Sequence, residues 1–268
     1  MSDIHSNIQK SKYKQKFNVK KHKRPSLEVN LKGFICSCNN REKDCVKESY
    51  NLLNKYADIL YPPPANTDTK DDTDIGDELR NELLELTSIK TKRFQVVESG
   101  AKNMIFIKTT LEDTVQLAEK IISDIAETKS RQTKVLLRLV PIEVTCKAYV
   151  KDIENAFKRI APKHFAESSK TFSVVYNHRN NNNLKRDDVI KAVADVVFQI
   201  RSDHRVSLKD AEVSVVIEVI KGIALIGIVP DFIKYKKYNL HAISEHDNET
   251  ESQHSGELED LHTESNDT

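Results

Sequence analysis

Val213 to Val229, VSVVIEVIKGIALIGIV, decides the architecture. Two runs of β-branched and aliphatic side chains, Val213 to Ile220 and Ile223 to Val229, meet at Lys221 and Gly222. Short continuous apolar runs joined at such a pair are strands buried on both faces, read as a hairpin or as two closely linked strands. Part of this stretch, Ile217 to Val229, is the best membrane-span candidate in the chain. Glu218 and Lys221 break it, and it falls short of the roughly 20 apolar residues that a bilayer requires. No membrane association is expected.

Upstream, Val189, Val193, Val196, Val197 and Ile200 recur at helical spacing behind Asp187, a candidate N-cap. Thr171 to Tyr176 has strand character, and Asn180 to Asn183 form a polar loop. Ile153, Phe157 and Ile160 mark a helix ending near Pro162. Ile142 to Ala148 alternates Ile142, Val144, Cys146 and Ala148 against Glu143, Thr145 and Lys147, the pattern of a half-buried strand. Pro141 donates no ladder hydrogen bond and so fits the first position of that strand. Strands alternating with helices define an α/β domain over 129–243.

Nearer the start, KGFICSC at 32–38 reads as a strand, and Asn39 and Asn40 as a turn or cap. Val46, Tyr50, Leu53, Ala57 and Leu60 then form one helix face, stopped at Pro62, Pro63 and Pro64. Residues 62–75 include a polar linker or insertion, and Leu79, Leu83 and Leu86 suggest a short helix. Arg93 to Glu98 and Asn103 to Lys108 are two strands joined at Ser99, Gly100 and Ala101. Leu111, Val115, Ala118, Ile122 and Ile125 face one way along a further helix. Strand, helix, strand, strand, helix is the order of a ferredoxin-like half. An α+β domain is expected over 31–128.

The net charge of +1 conceals a division along the chain. Residues 1–30 are crowded with lysine, and 244–268 with aspartate and glutamate. Blocks of like charge without core-forming residues predict disorder at both ends. KKHKRP at 20–25 fits a nuclear localisation signal; Tyr13 and Phe17 among lysines fit a segment that tracks RNA and stacks on a base; a solvated tail fits equally. The lysine-rich start lacks the apolar stretch of a secretory signal, which points to a protein retained inside the cell.

Chemistry-bearing motifs are scarce. The six glycines fall in neither the Rossmann nor the Walker spacing. No GxSxG elbow, kinase set or zinc-deaminase constellation occurs, and His164 and His178 stand without metal-ligating company. Cys36, Cys38, Cys45 and Cys146 read as buried or idle thiols, because a CxC on a strand offers no turn around a metal. No catalytic residue, metal or cofactor is assigned. Basic and amide side chains at loop edges of the second half remain: Arg131, Lys134, Arg138, Lys147, Lys151, Arg179, Asn180, Asn181, Lys185, Arg186 and Lys221. Such groups neutralise phosphates or bond to ribose and unpaired bases. In a chain that is 31% charged, solvated surface accounts for the same residues.

RLVPIEVTCKA at 138–148, IAPKHF at 160–165, FSVVYNHRNNNNLKRDDVIKAV at 172–193, the 213–229 run and DFIKYKKYNL at 231–240 together resemble the THUMP domain, and within that family the adaptors of tRNA acetylation. GFICSCNNREKDCVKESYNLL at 33–53 is similar to the start of that branch. The resemblance covers about 33–240. It implies a ferredoxin-like domain followed by a THUMP domain, and a non-catalytic protein with no small-molecule substrate of its own. Its implied role is to hold serine and leucine tRNAs and present them to an RNA cytidine acetyltransferase, which binds acetyl-CoA and ATP and forms acetylcytidine in the D-arm. Arg138 and Arg179 occupy positions where the family carries basic residues near RNA, and Lys221 with Gly222 match its β-turn. The nucleus, in particular the nucleolus, is the expected location, with the cytoplasm as the alternative. A free-standing tRNA-modifying enzyme and a general RNA-binding protein of ribosome assembly stay open as other readings.

Overall fold

The computed structural model describes residues 25–62 and 92–245. The expected helix around Leu79 to Leu86, most of the polar insertion, and nearly all of the two charged ends lie outside the described residues.

Strand β1 (Gly33–Cys38) is followed by helix α1 (Glu42–Leu60), which ends just before Pro62, whose ring disfavours helical backbone in the residue before it. The line that α1 buries is Cys45, Ser49, Leu52, Leu53, Tyr56 and Ala57. Val46, Tyr50 and Leu60 of the expected face lie on the flank of this line, only partly buried. The rotation brings in Ser49, whose hydroxyl donates to the Cys45 carbonyl at 2.7 Å and so enters the core satisfied. β2 (Phe94–Val97) and β3 (Met104–Thr109) form the expected hairpin, and α2 (Thr114–Thr128) starts where the Asp113 carboxylate accepts from the Gln116 amide at 2.9 Å.

The sixth element of this unit comes from the sequence assigned above to the second domain. β4 (Leu136–Ile142) pairs antiparallel with β1, Gly33 opposite Ile142 and Ser37 opposite Arg138, giving the sheet order β2-β3-β1-β4 of a complete ferredoxin-like fold. The boundary expected at 128/129 therefore moves past Ile142. Pro141 sits inside β4, opposite Phe34, and not at the head of the next strand. It is tolerated there because β4 is an edge strand of its sheet.

At Glu143 the chain changes sheets. β5 (Val144–Lys147), α3 (Val150–Phe165), β6 (Thr171–Arg179), α4 (Arg186–Ile200), β7 (Arg205–Val206), β8 (Val213–Ile220) and β9 (Ile223–Pro230) build a second sheet of order β5-β9-β8-β6-β7. The 213–229 run is a hairpin, with Ile220 opposite Ile223 across a turn where Lys221 takes a φ of 53°. Its burial on both faces is borne out residue by residue. Val215, Ile217 and Val219 point into a core shared with α3 and α4, whereas Val216 and Ile220 join the core of the ferredoxin-like unit. The molecule is thus layered: α1 and α2, first sheet, second sheet, α3 and α4. Thr145, expected to face outward, is fully buried, where its hydroxyl donates to the Glu28 carbonyl and accepts from the Leu31 amide. α3 runs one turn past its expected end, carrying Pro162 inside it. α4 is capped at Lys185, which leaves Asp187 and Asp188 in its first turn, where the helix dipole favours them.

The C-terminal segment returns to the first unit. A short 3-10 turn (Lys236–Tyr238) and α5 (Leu240–Ser244) place Tyr238, Leu240 and Ile243 in the ferredoxin-like core, and Tyr238 donates to the Pro230 carbonyl at 2.9 Å.

Candidate nucleic-acid interface

Because the two sheets face each other, residues at alternate positions along β1, β3 and β4 look towards the matching face of β6 and β8. Over part of this interface Ile35, Val140, Val216, Ile220 and Leu225 close the gap with apolar contact. Towards the C-terminal end of β6 the layers part and leave a cleft of about 530 Å³. Its first wall is Ile35, Ser37, Met104, Arg138 and Val140; its second is Tyr176, Asn177, His178, Arg179 and Glu218, with Leu184 and Arg186 from the start of α4.

Three arginines meet here, Arg138 from the first sheet and Arg179 and Arg186 from either end of the β6–α4 loop, and all three are exposed. Among the described residues none of their guanidinium groups forms an ion pair. Each therefore keeps its planar fork of donors for an incoming acceptor, the geometry suited to phosphate. Glu218 is the counterweight. It sits opposite Asn177 on neighbouring parallel strands and accepts a hydrogen bond from Asn177 Nδ2 at 2.7 Å. Burial pushes its carboxyl above the ordinary glutamate value, against the opposing pull of that hydrogen bond and of Arg179 and Arg138.

His178 stands on the rim. Its Nδ1 lies 2.7 Å from the Asn181 carbonyl, which only accepts, so Nδ1 is the donor of this bond. The imidazole is stacked on Tyr176, with centroids 5.9 Å apart and planes 26° apart. The Tyr176 hydroxyl is buried and has no partner among the described residues.

Of the basic and amide positions read from sequence, Arg138, Arg179 and Arg186 line this cleft. Asn180, with a φ of 55°, and Lys185 flank it on exposed backbone. Asn181 is consumed by the loop: Nδ2 donates to the Lys221 carbonyl at 2.6 Å, and Oδ1 accepts from the amides of Asn183 and Leu184. Lys221 leans over the β2–β3 turn, so that a Cβ on Gly100 would meet its Nζ at 2.7 Å. Lys147 and Lys151 are exposed at the end of β5 and the start of α3. Arg131 is engaged within the fold, whereas the Lys134 side chain is exposed and only its backbone amide is used. Arg131 donates to the Thr133 carbonyl at 3.2 Å and to His241 Nδ1 at 3.1 Å; the Lys134 amide donates to the Glu48 carboxylate.

Sequence reasoning missed Tyr176, Asn177, His178 and Glu218. The signal for Glu218 was present: a carboxylate inside a strand buried on both faces is costly unless something offsets it. Cys36, Cys38, Cys45 and Cys146 are all buried. Burial pushes the thiols of Cys36 and Cys146 up to about 12 and also raises Cys45, which keeps these groups protonated and unreactive at neutral pH.

The THUMP domain family profile matches residues 147–229. THUMP domain-containing protein 1 homolog of Drosophila melanogaster is 35% identical over 269 aligned positions, covering 90% of this chain and 82% of its own length. THUMP domain-containing protein 1 of Bos taurus is 36% identical over 230 positions, covering 81% of this chain. This chain spans 64% of the bovine protein's length. A solution structure of the THUMP domain of THUMP domain-containing protein 1 is 30% identical, covers 31% of this chain and 87% of its own, and superposes with a TM-score of 0.29.

Proposed function

The chain belongs to the family of THUMP domain-containing protein 1, and on that premise we propose that it is a non-catalytic, tRNA-binding adaptor. In this proposal it binds serine and leucine tRNAs and presents them to a separate RNA cytidine acetyltransferase, which makes acetylcytidine in the D-arm. Its place of work would be the nucleus. The observation that carries the RNA-binding part is the convergence of Arg138, Arg179 and Arg186, unpaired among the described residues, on one cleft between the two sheets. Rigid strands and a helix N-terminus fix where these three side chains start, so their free guanidinium groups can reach one phosphate chain together. The adaptor part rests on the family's character.

Two measurements test the proposal. Purified protein titrated with tRNA at increasing salt loses affinity steeply if phosphates are neutralised; an affinity indifferent to salt contradicts RNA binding. Removal of the protein from cells abolishes acetylcytidine in purified serine and leucine tRNAs, followed by mass spectrometry. Unchanged acetylcytidine in both tRNAs refutes the adaptor role while leaving RNA binding intact.

A further inference from the structure

Each sheet has two edge strands, and among the described residues three of the four edges are engaged by other parts of the chain. The β2 edge is bonded at Glu98 by Pro25 and Leu27, and its Val96 amide donates to the Tyr50 hydroxyl at 2.7 Å. The β4 edge carries Asn239, bridged to Arg138, and the β5 edge takes the Asn30 amide on its Thr145 carbonyl at 2.7 Å. Unpaired edges template association, which is why folds cover them. The β7 edge is left open. The N–H groups of Arg205 and Ser207 donate inward to the Lys170 and Phe172 carbonyls, at 3.1 and 2.9 Å. Between them the Val206 N–H and C=O point away from β6 and meet no hydrogen-bonding partner among the described residues. Buried His204 fastens the strand: its Nδ1 accepts from the Lys170 amide and its Nε2 donates to the Phe165 carbonyl, each at 3.0 Å.

The side chains at this edge are apolar, where a protected edge carries charge. Val206 stands level with Phe172 and so takes the face covered by α4, where the Phe198 ring lies edge-on to Phe172 with centroids 5.6 Å apart. Phe198, Val206 and Leu208 are 39%, 56% and 73% exposed. We propose that this edge is a self-association surface, in which β7 pairs antiparallel with β7 of a second copy about a two-fold axis at Val206. A residue on such an axis exchanges N–H···O=C bonds with its own counterpart, so Val206 satisfies both of its free groups at once. The same register lays Arg205 opposite Ser207 and brings Asp203 of one copy towards Lys209 of the other, so that unlike charges meet and no like charges are directly opposed. Phe198, Val206 and Leu208 of both copies then share one apolar strip. Phe172, beside β7, is seven residues from Arg179 along β6, roughly 23 Å at the rise of a strand. Both clefts stay open, and the pairing stands independently of the RNA-binding reading.

Sedimentation velocity on the full chain without RNA, from about 1 to about 100 micromolar, is expected to show a concentration-dependent dimer. Val206→Pro removes the outward N–H and leaves both inward bonds of β7, since proline is tolerated where an edge N–H faces solvent; it raises the dimer dissociation constant about tenfold or more. Asp203→Lys and Lys209→Asp each weaken the dimer, and the double exchange restores it, a rescue that a merely structural effect does not give. The urea midpoint reports whether Val206→Pro is folded, and the charge variants serve if it is not. A chain that is monomeric at every concentration overturns the proposal and leaves the edge to a strand of a different protein or to solvent. A dimer that neither Val206→Pro nor the charge exchanges weaken overturns it as well, because its contact lies elsewhere. Neither result bears on RNA binding, which the cleft variant Arg138→Ala tests separately.

Discussion

Gly227 of β9 packs so closely on the backbone of Pro141 that a Cβ at Gly227 would lie 2.1 Å from the Pro141 carbonyl oxygen. The contact joins the edge strand of the first sheet to the second sheet, just before the chain crosses between them at Glu143. Backbone cannot swing aside as a flexible side chain can. Gly227→Ala is therefore expected to destabilise the fold by about 3 kcal/mol, read as a lower urea midpoint. Gly222→Ala, where an added Cβ meets nothing within 4 Å, is the control and should cost far less.

Glu48 of α1 holds the start of β4. Its carboxylate accepts from the amides of Lys134, Val135 and Leu136, the last two at 2.8 and 2.9 Å. Burial alone would raise its pKa, but the three amides together outweigh that and hold the carboxyl below the ordinary glutamate value. A depressed folded pKa means stability that is present above the unfolded pKa and lost as pH falls through the folded one. Glu48→Ala should cost about 2 kcal/mol near neutral pH. The difference from wild type should shrink on acidification, as followed by chemical unfolding at several pH values.

Arginines in the cleft and arginines outside it should separate in an RNA titration. Arg138→Ala and Arg179→Ala each reduce the slope of log affinity against log salt by about 0.7 to 0.9, the contribution of one phosphate contact. Arg131→Ala leaves that slope unchanged. It acts on stability instead, costing about 1 kcal/mol through the lost contacts to Thr133 and His241.

Glu218→Gln should have the opposite pH signature to the Glu48 variant. The Glu218 carboxyl is raised chiefly by burial, so its charge costs stability above the folded pKa, and the cost disappears as pH falls below the unfolded value. The variant is expected to unfold at a higher urea concentration than wild type near neutral pH. The two midpoints should converge in acid.

Much of the fold was legible because burial leaves a periodic trace. The 213–229 run declared a doubly buried hairpin and the order of elements after Gly33 declared a ferredoxin-like unit; the strand expected over Ile142 to Ala148 is confined to Val144–Lys147, with Ile142 in β4 and Thr145 buried. What failed was Leu136 to Ile142, not read above as a strand of its own, and the sheet it joins. Nothing local in Leu136 to Ile142 says which sheet it will join; pairing with β1, about a hundred residues earlier, is a long-range choice made by packing both sheets. The same holds for Tyr238, Leu240 and Ile243, which return to the first core from the end of the second unit.

By itself, then, the sequence determined which segments are helix or strand, which faces are apolar, that its charges are segregated, and a family likeness that points to RNA. Only the tertiary structure decided which cations act together. Arg138 stands on one sheet and Arg179 and Arg186 on and beside the other; they converge because alternation along paired strands fixes the face each side chain takes, and the approach of the two sheets sets what lies opposite. Arg131 carries the same guanidinium as the cleft arginines and Asn181 the same amide as Asn180, yet intramolecular hydrogen bonds absorb both. Glu218, which first counted only as a break in an apolar run, acquires its place because β6 sets Asn177 beside it and the first sheet covers it from above.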